Sequence, residues 1–165
     1  MAHPPTESVQ RTESMAWGLA AARFAIDVDA NAVAALRDRL ESDFSSALKI
    51  LSSASGKIIV SGLGKSGHIG RKIAASLAST GSPSFFVHAT EALHGDAGMC
   101  GSEDAAVLIS NSGETTEVCD FGRLLIQRGV PIVAMTAGHS SRLALLADAV
   151  LDISVESEAD PLNLA

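Results

Sequence analysis

The feature that most constrains this chain is a change of pattern at Gly56. Beyond it, short β-rich apolar runs alternate with helical stretches. The runs are Lys57–Ser61, Ser84–His88, Ala105–Ser110, Pro131–Thr136 and Ala149–Ser154. Helical patterns fill three of the gaps, at Ser66–Thr80, Glu114–Arg128 and Ser140–Ala147, the last closed by Asp148. Most of the runs are continuously apolar, as strands buried on both faces must be, and helices join them. That combination predicts an α/β architecture with a five-stranded parallel sheet flanked by helices. In such sheets ligands sit outside the carboxyl ends of the strands. The loops after Ser61, His88, Ser110, Thr136 and Ser154 are therefore the ones to read for chemistry.

Ahead of the sheet, residues 1–12 read as a polar, disordered lead, and Thr12 to Ala54 reads as N-terminal helices with a break near Asp27–Asn31. In the second of these, Val33, Leu36, Leu40, Phe44, Leu48 and Leu51 recur at three- or four-residue spacing and predict one buried stripe. The 165 residues fit one ordinary domain, and a hydrophobic content of 47% suffices for a sizeable core. Nineteen acidic against 12 basic residues, a net charge of −7 with no basic cluster, argues against nucleic acid as a partner. No apolar stretch approaches the ~20 residues that span a bilayer, and the first residues lack a signal pattern, so a cytoplasmic protein without membrane partners is expected. Cys100 and Cys119 form no C-x-x-C pair and read as core or interface thiols.

Four loops could carry chemistry. Ser61-Gly62-Leu63-Gly64-Lys65-Ser66-Gly67-His68-Ile69-Gly70 is a glycine-rich turn from the first strand into a helix. A Walker A loop would need glycine where Ile59 stands, and a dinucleotide site would need an acid where the second strand ends in His88. Glycines serving only a tight turn are the plain alternative. Lys65 weighs against it, because an ammonium at a helix N-terminus calls for an anion or carboxylate beside it. Ser110-Asn111-Ser112-Gly113-Glu114-Thr115-Thr116-Glu117 again leaves a strand and opens a helix. Ser110, Ser112 and Thr115 could direct hydroxyls at one phosphate, or Ser112 could simply cap the helix.

His88-Ala89-Thr90-Glu91-Ala92-Leu93-His94-Gly95-Asp96 concentrates histidines and acids. Its spacing matches no standard zinc motif, and contacts to a hydroxylated ligand are the favoured reading. His3, His68 and His139 read as tail, helix surface and loop. Glu156 and Asp160, after the fifth strand, read as a solvated acidic loop.

Taken together, Gly62-Leu63-Gly64-Lys65-Ser66-Gly67-His68-Ile69-Gly70-Arg71-Lys72, Phe85-Phe86-Val87-His88, His94-Gly95-Asp96 and Ile109–Glu117 resemble a sugar isomerase (SIS) domain, and within that superfamily the arabinose-5-phosphate isomerases. The resemblance implies a doubly wound, flavodoxin-like SIS fold over residues 13–165 and interconversion of D-ribulose 5-phosphate and D-arabinose 5-phosphate through a cis-enediol, without a required cofactor. It implies Lys65, Glu117 and Glu158 as catalytic residues, with Glu158 as base and Lys65 as charge stabiliser. Ser66, Gly81, Ser82, His88, His94, Ser110, Asn111, Ser112 and Thr115 are implied as substrate contacts, and His88 also as a site for a modulating zinc ion. Members of the family assemble as homotetramers and serve octulosonate and lipopolysaccharide precursor synthesis. They continue into a last SIS helix, a catalytic histidine and CBS modules, none of which lies within this sequence, so a truncated domain is expected. A non-catalytic sugar-phosphate-binding module, or an inactive truncated fragment of the isomerase, is the rival expectation.

Overall fold

The computed structural model describes residues 7–40 and 42–160, with the side chains of 7–14 and 42 excepted. These residues divide into two compact units, one comprising those up to Asp38 together with those from Val155 onward, the other Arg39–Ser154.

In the first unit, helix α1 spans Glu7–Leu36. Two expectations change here. Residues 7–12 of the supposed lead are helical, and the break at Asp27–Asn31 does not occur. Asp27, Asp29 and Asn31 each cost no more than about 0.7 kcal/mol in a helix interior, and the alanines at 20–22, 25, 30, 32, 34 and 35 keep the helix running through them. The interruption falls instead at Arg37–Arg39, a short 3-10 turn.

The second unit holds the sheet. Its strands are β1 (Ile58–Gly62), β2 (Ser84–His88), β3 (Ala105–Ile109), β4 (Ile132–Thr136) and β5 (Ala149–Asp152). All four pairings are parallel, in the order β2-β1-β3-β4-β5. The fully buried runs of β1 and β3 lie inside the sheet, and the half-exposed β2 and β5 form its edges. Each predicted strand is present to within two residues at either end.

Alternation along the strands sends two apolar sets to opposite faces. Ile58, Val60, Val107, Ile109 and Val133 pack beneath α2 (Ser42–Ser53) and α3 (Gly64–Ser79). Ile59, Ala106, Leu108, Ile132 and Ala134 pack with Val118, Phe121 and Leu125 of α5 (Thr116–Gln127), with α4 (Ala89–Leu93) and α6 (Arg142–Leu146) completing that layer. Cys100 and Cys119 are free and buried in this second set. Burial pushes both thiols above their ordinary pKa.

Of the predicted stripe, Leu51 packs against the sheet and the others do not. Val33 and Leu36 on α1 and Leu40, Phe44 and Leu48 in the second unit are exposed. What α2 turns toward the sheet is Ala47, flanked by Ile50 and Leu51 at i+3 and i+4. Between β2 and β3, where the sequence reads as loop, the chain forms α4 and a 3-10 turn at Asp96–Met99.

Candidate functional site

The strand order creates a reversal point. From β1 the chain passes through α3 to β2 on one side, then through α4 to β3 on the other side of β1. Ligand crevices form at such switch points, outside the strands' carboxyl ends. Gly62 is in register with both Ile109 and His88, so the turns after β1, β3 and β2 leave the sheet as neighbours. A Cβ on Gly62 would lie 3.0 Å from the Ile109 carbonyl oxygen, and one on Gly67 would lie 2.9 Å from the Gly62 carbonyl oxygen. Glycine is what lets α3 start this close to the sheet, so the plain reading of these residues accounts for their packing.

It does not account for the charge. α3 is preceded by Leu63, which offers no capping side chain, and its first turn has no acid. The Gly67 N–H, bonded to Leu63 O at 3.0 Å, opens the helical ladder. The N–H groups of Gly64, Lys65 and Ser66 therefore have no intrahelical acceptor. Lys65 is exposed, and none of the ion pairs among the described residues involves it.

Across the crevice, α5 also starts without a capping side chain, but with an acid, Glu117, in its first turn. Sequence reading made Ser112 a candidate cap for this helix. The residue at that position is Thr115, and its side chain makes no capping bond. Ser112 Oγ instead accepts from Glu114 N–H at 3.2 Å, closing the turn ahead of the helix. The ladder opens with Cys119 N–H to Thr115 O at 3.0 Å, leaving the N–H groups of Thr116, Glu117 and Val118 without intrahelical acceptors. Ser110 Oγ and Thr115 Oγ1 meet at 2.9 Å, and Ser110 Oγ also accepts from Gly113 N–H at 3.1 Å. Two of the three predicted hydroxyls thus converge. Ser112, turned to Glu114 N–H, and Asn111 are exposed beside them.

His88, ending β2, lines a hollow of about 180 Å³ with Gly64, Gly67, His68, Arg71 and Phe86. Its Nδ1 is buried without a hydrogen-bond partner among the described residues. His68, expected on the helix surface, and Arg71 share this hollow. The Arg71 guanidinium stands 4.3 Å over the Phe86 ring centroid. His94 is exposed at the end of α4. No group of three or more potential metal-binding side chains exists among the described residues, so the donors around His88 do not fit a zinc site. Gly81 and Ser82 precede β2, beside Pro83, whose carbonyl accepts from Ile58 N–H at the strands' amino ends. They lie at the opposite edge of the sheet from the crevice. Glu158 belongs to the first unit and is exposed there.

Sequence reading missed the part that holds the Ser110–Thr115 loop in shape. The β4–α6 connection runs alongside it, and its Ala137 N–H and Thr136 Oγ1 donate to Asn111 O at 2.9 and 3.2 Å. Leu143 N–H donates to Gly113 O at 3.0 Å. Arg142 forms a fork on Glu114, whose carboxyl is held below its usual range first by the backbone N–H of Arg142 and then by its guanidinium. These partners lie 25 or more residues from the loop, and no local pattern announces them.

The family model described as the SIS domain matches residues 50–165. The chain belongs to the SIS domain family. Arabinose 5-phosphate isomerase KdsD of Pseudomonas aeruginosa is 47% identical over 140 residues, covering 85% of this chain and 43% of that protein. Arabinose 5-phosphate isomerase GutQ of Escherichia coli K12 is 53% identical over 130 residues, covering 79% and 40%. This SIS chain thus spans about 40% of the length of the curated relatives it matches. Among solved structures, an E. coli CFT073 protein in complex with A5P superposes with a TM-score of 0.76 at 44% identity, covering 87% of this chain and 76% of that one. A Listeria monocytogenes protein superposes at 0.81 with 28% identity, covering 88% and 77%. No helix among the described residues of the SIS chain is long and apolar enough to cross a membrane.

Proposed function

We propose that this SIS domain binds a pentose 5-phosphate and acts as an aldose–ketose isomerase interconverting D-ribulose 5-phosphate and D-arabinose 5-phosphate. The observation that carries the binding half is the pair of uncapped helix N-termini, α3 and α5, flanking one switch point with the Ser110–Thr115 hydroxyls between them. Free N–H groups from two helices, hydroxyls and an unpaired ammonium are what a phosphate monoester requires. The names of the relatives and the A5P complex of the E. coli CFT073 protein support the sugar.

In this reading Ser66, Ser110, Asn111, Ser112 and Thr115 hold the phosphate, and His88 and His94 contact the sugar. A carboxylate takes the C1 proton of the ketose, giving a cis-enediolate charged on O2; a proton passes from O1 to O2, and the carboxylic acid returns its proton to C2 to give the aldose. Glu158 is proposed as that base, Glu117 as the group that orients or polarises, and Lys65 as the cation that stabilises the enediolate oxygen. No redox cofactor enters these steps. Gly81 and Ser82 remain substrate contacts by resemblance only.

A cytoplasmic role in octulosonate and lipopolysaccharide precursor synthesis belongs to the same proposal, as does assembly into a homotetramer. The exposed apolar side chains Leu40, Phe44 and Leu48 support assembly. Incubation of the purified chain with ribulose 5-phosphate tests the proposal, with formation of arabinose 5-phosphate as the expected result. Binding of arabinose 5-phosphate by a chain that does not turn over would favour the non-catalytic module. Lys65→Ala should lower turnover far more than affinity, whereas equal losses would make Lys65 a phosphate anchor.

A further inference from the structure

We propose that Arg142 and Glu114 form a positioning device that keeps the Glu114 carbonyl oxygen of the Ser110–Thr115 loop turned away from a bound phosphate. The inference rests on the phosphate reading of that loop. A loop of peptide units can present either its N–H groups or its carbonyl oxygens to a crevice, and only the first arrangement attracts an anion. In this loop the carbonyls of Asn111, Gly113 and Glu114 are all bonded to the β4–α6 side. Asn111 O takes Ala137 N–H and Thr136 Oγ1, Gly113 O takes Leu143 N–H, and Glu114 O takes Arg142 Nη2.

The last of these tethers stands immediately before the free N–H groups of α5, and Arg142 reinforces it. Its backbone N–H donates to Glu114 Oε1 at 3.0 Å, its Nε donates to Oε2 at 2.8 Å, and its Nη2 reaches Thr116 Oγ1 at 3.5 Å. One guanidinium thus grips both the carboxylate and the carbonyl of the same residue, a two-point hold that fixes the peptide's orientation. Nε and Nη2 are committed to that grip. In this proposal Arg142 acts on the phosphate through the loop, as a positioning residue.

This makes a prediction opposite in sign to simple electrostatics. Glu114 is a negative charge beside a site for an anion, so neutralising it would strengthen binding if only charge mattered. If the fork sets the loop, Glu114→Gln should weaken binding instead. The experiment is calorimetric titration of the wild-type chain, Glu114→Gln, Arg142→Ala and the double variant with inorganic phosphate and with arabinose 5-phosphate, alongside a melting curve for each. The expected result is a loss of about tenfold in affinity for both probes in each single variant. The double variant should lose no more than the worse single variant, because one device is being removed twice. Melting temperatures should change little, since both side chains are about half exposed.

Unchanged or tighter binding by a folded Glu114→Gln variant overturns the proposal, as does additivity in the double variant. Should Arg142→Ala fail to fold, the nearly isosteric Glu114→Gln decides alone. A wild-type chain that binds neither probe sinks the phosphate reading itself and this inference with it. A wild-type chain that binds while Glu114→Gln binds equally well sinks only the positioning role.

Discussion

Gly113→Ala tests how tightly the candidate phosphate loop is seated on the β4–α6 connection. Gly113 has φ +69°, and a Cβ built on it overlaps Ser141 Oγ, lies 2.5 Å from Ser141 Cβ and lies 2.8 Å from Thr136 Oγ1. Two costs follow. Holding alanine in the left-handed region costs about 1–2 kcal/mol. Forcing the buried Ser141 aside adds about 1–3 kcal/mol of overpacking, since Ser141 is only 6% exposed and its Oγ accepts from Ala144 N–H at the start of α6. The sum of about 2–5 kcal/mol is a large share of the roughly 5–15 kcal/mol that stabilises an ordinary domain. At about 2–4 °C per kcal/mol for a chain of this size, the melting temperature should fall by roughly 4–20 °C.

Urea unfolding with a melting curve is the assay. Adding Ser141→Gly to Gly113→Ala should restore the overpacking part, about 1–3 kcal/mol, because a Ser-to-Gly change at a helix cap costs only a few tenths of a kcal/mol. A Gly113→Ala variant within about 0.5 kcal/mol of wild type, as for an ordinary surface change, would refute the reasoning. So would a double variant that recovers nothing.

Two further predictions concern buried polar groups on either side of the sheet's length. Ser61 Oγ is buried without a hydrogen-bond partner among the described residues. Ser61→Ala should leave stability unchanged or raise it by up to about 1–2 kcal/mol, and a loss of sugar-phosphate affinity would show that a ligand uses the hydroxyl. Asp104, 1% exposed, accepts from Lys57 N–H at 2.8 Å and Gly101 N–H at 2.9 Å. Asp104→Ala leaves both donors unpaired and should cost about 2–5 kcal/mol by urea unfolding; a change below about 1 kcal/mol would mean that water replaces the carboxylate.

The sheet was legible because its inner strands β1, β3 and β4 are buried on both faces and so are written as apolar runs, with which the half-exposed edge strands β2 and β5 keep the same short spacing. The first turns of α3 and α5 were legible for a related reason. Glycines and hydroxyls at the end of such a run have few other uses. α4 was not legible, because five residues make less than two turns and show no period. The stripe through Phe44 and Leu48 misled because periodicity identifies an apolar face without saying what it faces. Ala47, with Ile50 and Leu51, meets the sheet, and Phe44 and Leu48 lie on the exposed side of α2. Ser112 looked like a cap because the sequence cannot say where a helix begins to within a turn. The Arg142–Glu114 fork joins residues 28 apart through a crossover that only the assembled sheet brings together.

The most direct test of the central claim, that a sugar phosphate sits at the β1–β3 switch point, is to follow backbone amide resonances during titration with arabinose 5-phosphate. The largest shifts should fall on residues 64–67 and 110–118, with Thr116, Glu117 and Val118 prominent, since their N–H groups are the free donors. Shifts confined to the other end of the strands, in the cavity of about 450 Å³ that includes Lys49, Ser53, Ser102 and Glu103, would contradict the account.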